Sequence, residues 1–236
     1  MRGSLIYSGK AKNIYETDDP SLVIMEHKDC LTALNGEKKG SFSGKGPLNR
    51  NISDGIFKHL QTKGVKTHFV ESLSDTETLV KKVTIIPLEV IVRNVAAGSF
   101  SKKYGAPEGA PLKNIVVEYS LKDDALGDPM LAESHAAALG IATFEELDYL
   151  KEQALKVNSA LIELFAGVGL KLVDFKIEFG KDDKGEVLLA DEITPDSCRL
   201  WDIESQEKLD KDRFRRDLGG VEDAYREVAR RLALMA

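Results

Sequence analysis

Leu172-Val173-Asp174-Phe175-Lys176-Ile177-Glu178-Phe179 is the stretch on which the reading of the fold turns. Strict alternation puts Val173, Phe175, Ile177 and Phe179 on one face of a strand and Asp174, Lys176 and Glu178 on the other, with same-face neighbours roughly 6.5–7 Å apart. Lys181-Asp182-Asp183-Lys184-Gly185 then reads as a hairpin loop returning into a second strand over Glu186 to Asp191. Upstream, Thr143 and Glu146 have capping-box spacing. Leu147, Leu150, Ala154, Val157, Leu161, Leu164 and Phe165 keep a helical period from there to Gly167. A long helix feeding an antiparallel hairpin argues against a doubly wound parallel sheet.

Toward the amino terminus the chain is strand-rich. Residues 5–26 read as a β-ribbon turned at Gly9 and again at Asp18-Asp19-Pro20. Residues 35–50 are rich in Gly, Lys, Ser and Asn and read as a polar loop. It leads into a short helix carried by Ile52, Ile56, Phe57 and Leu60 and stopped by Gly64. Further strands follow from Lys66 to Val95, where Pro87 limits the ladder. Breaks at Gly105, Pro107, Gly109 and Pro111 make 98–112 a loop with one helical turn before them, a mobile or ligand-covering segment. A last helix shows Val221, Tyr225, Val228 and Leu232 on one face. Strands, then helices, then a hairpin predict an α+β fold in two lobes, β-rich over 1–87 and α+β over 88–236.

The 236 residues hold 39 Asp and Glu against 33 Lys and Arg, a net charge of −6, which speaks against a basic nucleic-acid binder. With 42% hydrophobic and 31% charged residues, the chain is neither disordered nor a membrane protein, since no apolar run approaches the ~20 residues of a bilayer span. Cys30 and Cys198 stand alone, without metal-ligand spacing, and read as reduced thiols of a cytoplasmic protein. No secretion-signal pattern opens the chain. The four His show no metal spacing, and neither Gly-x-Ser-x-Gly nor His-Glu-x-x-His occurs, so hydrolase readings lack support.

A solvated outer face would explain the charged row Asp174, Lys176, Glu178. Against it, the next strand ends in Asp191-Glu192 and runs into Pro195-Asp196-Ser197-Cys198-Arg199, which gathers carboxylates beside the row. Mg²⁺ takes one or two carboxylates and completes its octahedron with phosphate oxygens and water, so Glu178 and Asp191 are the candidate metal ligands. That requires a register, or a bulge, that turns Asp191 toward Glu178. Gly9-Lys10-Ala11-Lys12 suits a hairpin tip closing over phosphates, although Gly and Lys are also ordinary in exposed turns. Gly40 to Gly46 is one residue short of a Walker A loop and lacks Ser or Thr after Lys45. Arg93, at a strand end before Asn94-Val95-Ala96-Ala97-Gly98-Ser99, offers the forked donors that bind phosphate, with an exposed salt bridge as the plainer alternative.

Pro87-Leu88-Glu89-Val90-Ile91-Val92-Arg93 with Ala97-Gly98-Ser99, and Leu172 to Phe179 followed by Gly180, resemble the two signature segments of the SAICAR synthetase family. The similarity continues through Gly9-Lys10-Ala11-Lys12, Ser74-Asp75-Thr76-Glu77, Asp128-Pro129-Met130, Asp191 to Trp201 and Asp210 to Arg215, essentially the whole chain. The resemblance implies a kinase-like nucleotide cleft and an ATP-dependent ligase of purine biosynthesis. Such an enzyme joins L-aspartate to carboxyaminoimidazole ribonucleotide through an acyl phosphate, with Mg²⁺ accompanying ATP. It implies Gly9, Lys10, Ala11, Lys12 and Lys81 at the nucleotide, and Glu178 and Asp191 on Mg²⁺. Arg93, Ser99 and Arg199 would hold the ribonucleotide phosphate, and Asp128, Asp174, Lys176 and Asp196 would surround the imidazole carboxylate and ribose. Lys211 and Arg215 are further substrate contacts, and a homodimer is an assembly compatible with the resemblance. One departure falls at Leu34, within Ala33-Leu34-Asn35-Gly36, where glycine or an aromatic is expected. A small-molecule kinase and a non-catalytic nucleotide-binding module are the competing readings. The first would be indifferent to aspartate, and the second would release no phosphate.

Overall fold

A computed structural model describes residues 1–33 and 36–233, so Leu34 lies outside the described residues. Strands β1 (Leu5–Ser8), β2 (Lys12–Glu16) and β3 (Leu22–His27) form the expected ribbon. The segment read as a polar loop behaves differently. A small hairpin, β4 (Cys30–Ala33) and β5 (Lys38–Ser41), precedes helix α1 (Lys45–Thr62), which begins well before Ile52. In the first turns of α1 the apolar period is carried by Leu48 alone, because Lys45 and Asn49 take the neighbouring buried positions, both bonded to Asp196. Strands β6 (Phe69–Ser72) and β7 (Glu77–Lys81) complete a five-stranded sheet in the order β1-β2-β3-β7-β6.

The second sheet positions the site. It is built from β8 (Thr84–Val95), β9 (Pro111–Leu121), β10 (Met130–Leu131), β11 (Leu170–Lys181), β12 (Val187–Ala190) and β13 (Cys198–Asp202). The segment read as a loop over 98–112 contains α2 (Gly98–Tyr104), two helical turns rather than one, and passes into β9 at Pro111. Strand β11 lies at the centre, with β8 along one edge; on the other, β13 pairs with its first half and β12 with its second. All these pairings are antiparallel. Helices α3 (Glu133–Ala138) and α4 (Phe144–Ala166) lie between β10 and β11 in sequence. The capping box of α4 is formed: Glu146 N donates to Thr143 Oγ1 at 3.2 Å and Thr143 N donates to Glu146 Oε2 at 2.9 Å. Helices α5 (Asp212–Arg215) and α6 (Val221–Arg231) end the described chain.

Leu147, Leu150, Val157, Leu161 and Phe165 of α4 are buried in one core with Phe175, Ile177 and Phe179 of β11 and Leu88, Val90 and Val92 of β8. Each such side chain contributes roughly 1.5–3 kcal/mol on leaving water. The apolar face of β11 is thereby pinned, and its charged face must point the other way. The same core takes in Ile52, Ile56 and Phe57 of α1 and Phe69 of β6, so it runs on into the region of the first sheet. Among the described residues no helix is long and apolar enough to cross a membrane.

Candidate active site

The charged face of β11 floors a cleft of about 630 Å³, within the size range of small-molecule sites. The β1–β2 turn, Gly9 to Lys12, also lines it. Strand register sets out its first row. Asp174 stands opposite Arg93 of β8 on one side and Arg199 of β13 on the other. Asp174 Oδ2 accepts from Arg93 Nη1 at 3.1 Å and from Arg199 Nη1 at 2.9 Å. Arg93 is 4% exposed. Its Nε donates to Glu118 at 2.6 Å and its Nη2 to Ser99 Oγ at 3.2 Å. Arg199 Nε donates to Asp212 at 3.0 Å, and Arg215 Nη1 donates to the other oxygen of Asp212 at 2.7 Å. Burial works against the charge on Arg199, but Asp174 and Asp212 outweigh it and hold the guanidinium more firmly protonated than usual.

Two pleat repeats further along β11, Glu178 stands opposite Glu89. Lys176 Nζ bridges the two, 2.6 Å from Glu89 and 3.1 Å from Glu178, and Lys122 Nζ lies 2.6 Å from the same Glu178 oxygen. Desolvation opposes the Lys176 charge, yet Glu178, Asp191 and Glu89 raise its pKa above the ordinary lysine value. Lys176 is a fixed cation.

Asp191 follows the last residue of β12 and adopts a left-handed backbone, φ 61°. Its carboxylate is ion-paired with Lys12, which also lies 3.8 Å from Glu192. Burial alone would raise the Asp191 pKa, but Lys12, Lys176 and Lys122 hold it well below the usual carboxylate range. Glu178 and Asp191 therefore line one cleft, each screened by lysines.

Of the other residues expected from sequence, Lys10 lines the cleft and pairs with Asp124 at 2.6 Å. Asp128 lines it with φ 49° and accepts from Asp123 N at 3.0 Å; among the described residues no ion pair engages it. Lys211 and Arg215 line the cleft beside Asp196 and Asp212 respectively, and burial lowers the Lys211 pKa against the pull of Asp196. Asp196 touches the cleft, but Lys45 Nζ at 2.5 Å, Asn49 Nδ2 at 2.8 Å and Tyr225 OH at 2.7 Å already occupy its oxygens. Lys81 is not brought to the cleft: it ends β7, exposed, paired across the ladder with Leu22. Glu89, Glu118, Lys122 and Asp212 were not singled out from sequence as site residues. Of these, Glu89 and Asp212 fall within segments that carry the family resemblance, Pro87 to Arg93 and Asp210 to Arg215, and Glu118 and Lys122 do not.

The lining groups include equal numbers of acidic and basic side chains among the described residues, so a polyphosphate entering here would bring uncompensated negative charge. The chain matches the SAICAR synthetase family model over residues 5–232. The chain belongs to the SAICAR synthetase family. It is 57% identical over 229 residues to the phosphoribosylaminoimidazole-succinocarboxamide synthase of Lachnoclostridium phytofermentans, covering 97% of each chain. A crystal structure of the Ehrlichia chaffeensis synthase superposes with a TM-score of 0.96 at 49% identity, covering 99% of this chain and all of that one. A SAICAR synthetase solved in complex with ADP superposes at 0.93, with 47% identity and 96% of each chain covered. SAICAR synthetase membership makes the chain an enzyme, an ATP-dependent ligase forming a carbon–nitrogen bond in purine biosynthesis, and it disfavours the kinase and module readings.

Proposed function

We propose that the cleft joins the amine of L-aspartate to the carboxylate of carboxyaminoimidazole ribonucleotide, giving SAICAR, ADP and phosphate in a reducing cytoplasm. The unpaired Cys30 and Cys198 support that last point. The observation that carries the proposal is the register-built row Arg93–Asp174–Arg199 sharing one cleft with the Glu178/Asp191 pair and the Gly9–Lys12 tip. The tip and its two lysines take the ATP phosphates. Arg93, Ser99 and Arg199 take the ribonucleotide phosphate through forked, charge-assisted donors. The division into a nucleotide lobe, 1–87, and a substrate and metal lobe, 88–236, belongs to the same proposal.

The donors fit Mg²⁺: Glu178 and Asp191 are hard carboxylate oxygens, two in number, in a cleft that lacks the positive charge to neutralise ATP unaided. Bound there, Mg²⁺ would neutralise phosphate charge. The chain's own residues do the rest by positioning and electrostatics. A carboxylate oxygen of the ribonucleotide attacks the γ-phosphorus, releasing ADP and forming an acyl phosphate. Lys176, permanently charged, stabilises the oxygens of the transferring group. The aspartate amine then attacks the acyl carbon, and phosphate leaves with the original carboxylate oxygen. Asp174, clamped between two guanidiniums, orients them; Asp128, unpaired with any described cation, accepts the proton the amine sheds. Asp196 acts by anchoring Lys211, which with Arg215 reaches the substrate.

Ribonucleotide labelled with ¹⁸O in its carboxylate tests this route. One label per turnover appears in inorganic phosphate if the acyl phosphate forms, and label-free phosphate contradicts it.

A further inference from the structure

Gly98 opens α2 with φ 54° and lies directly against the Arg199 guanidinium. A Cβ built on Gly98 would stand 2.6 Å from Arg199 Cζ and 2.9 Å from Nη1, with Nη2 nearest of all. These are separations that side chains do not tolerate. Arg199 cannot easily retreat, because Nη1 is held by Asp174 and Nε by Asp212. Nη2 is the remaining nitrogen, and among the described residues no group accepts from it. The space left by the missing side chain is therefore occupied by the one donor of Arg199 that the protein does not consume. The adjoining Ser99 is already bonded to Arg93 Nη2.

We infer that Gly98 is a positioning residue for ribonucleotide recognition: its bare Cα seats the Arg199 guanidinium beside Arg93 and Ser99 and leaves Nη2 available to the phosphate. This rests on the ribonucleotide-phosphate reading proposed above. Any side chain at 98 covers Nη2 or pushes the guanidinium off Asp174, and either result removes a charge-assisted donor without touching the nucleotide end of the cleft.

The left-handed backbone at Gly98 independently disfavours any other residue, so the test separates a seat from a strained turn. Gly98→Ala, Arg199→Lys and the double variant are compared in the full-length enzyme by KM for ribonucleotide, KM for ATP and thermal midpoint. Loss of one charge-assisted contact corresponds to roughly a tenfold or greater rise in KM. Gly98→Ala is expected to raise the ribonucleotide KM by about that factor while the ATP KM stays near wild type. Lysine is slimmer and lacks the fork. Arg199→Lys is expected to raise the ribonucleotide KM similarly, and Gly98→Ala is expected to add almost nothing in its background. If Gly98→Ala alone does not fold, the double variant is expected to recover a cooperative melt. An unchanged ribonucleotide KM in Gly98→Ala overturns the inference. So does an effect undiminished in the Arg199→Lys background, or a double variant as unfolded as the single. An Arg199→Lys enzyme with wild-type ribonucleotide KM overturns the phosphate assignment itself.

Discussion

Glu178 stands opposite Ala190 in the β11–β12 ladder, so a regular strand would send Asp191 to the opposite, core face; the left-handed backbone of Asp191 instead swings its carboxylate into the cleft that Glu178 lines. Asp and Asn are the non-glycine residues best suited to that conformation. Asp191→Asn should therefore keep the backbone and remove only the charge. We expect turnover to be abolished, Mg²⁺-dependent ATP binding to weaken, and the thermal midpoint to fall because Lys12 loses its nearer carboxylate, with unfolding still cooperative. Titration calorimetry with ATP, with and without Mg²⁺, reads the effect; a fully active variant would remove Asp191 from the metal site.

Lys10 and Lys12 flank the same turn but differ in setting. Lys12 is enclosed with Asp191 and Glu192, whereas Lys10 meets Asp124 at a solvent-exposed bridge. Exposed pairs contribute about 0–1 kcal/mol, while removing one member of a desolvated pair strands its partner. Lys12→Ala should cost much more stability and ATP affinity than Lys10→Ala. Chemical denaturation and KM for ATP measure both, and equal losses would contradict the distinction.

Arg93 is bonded to Glu118, Asp174 and Ser99 at once. Arg93→Ala leaves the buried Asp174 and the half-buried Glu118 short of a cation, a loss on the order of 3–5 kcal/mol of stability. It should also raise the ribonucleotide KM far more than the ATP KM. Arg93→Lys retains the charge but cannot span three acceptors, so it should recover much of the stability and little of the ribonucleotide affinity. Recovery of both would show that charge, not the fork, is recognised.

Asp210 is buried behind Arg199, and that burial, with Asp212 adding to it, pushes its pKa up to about 7 from the ordinary 3.8. The folded state then holds a proton that the unfolded chain has released. This group's contribution to stability is therefore complete below the unfolded pKa and is lost as pH rises toward about 7. Asp210→Asn removes the titration, so the variant's unfolding free energy should decline less than the wild type's between those two pKa values. Urea unfolding across that pH range decides it; parallel slopes would show that Asp210 is ionised throughout.

The parts of the fold legible in the sequence are those where burial follows a period. The alternation of β11 from Phe175 to Phe179 and the helical repeat of α4 are both written by residues facing one core, whereas Val173, beside the shifted register, is buried in a separate cluster with Val95, Ala97 and Trp201. The start of α1 escaped because Lys45 and Asn49 are buried through Asp196, 147 residues beyond Asn49. No local pattern records such a partner. The site divides in the same way. Residue types at the Gly9–Lys12 turn and along β11 pointed to phosphate and carboxylate chemistry. The joining of Arg93, Asp174 and Arg199 depends on registers on both sides of β11, one of them shifted between Leu172 and Asp174. Lys81 shows the converse: its side chain stays outside the cleft that the resemblance led us to expect it to reach.

The ligase account is tested most directly by measuring ADP, phosphate and SAICAR together while each of ATP, Mg²⁺, ribonucleotide and aspartate is withheld in turn. It predicts the three products in equal amounts, and no sustained turnover when any one component is missing: without aspartate, at most about one ADP per active site is released as the acyl phosphate forms. ADP formed from ATP and ribonucleotide at the same rate without aspartate, together with a stable phosphorylated hydroxyl on the ribonucleotide, would contradict it.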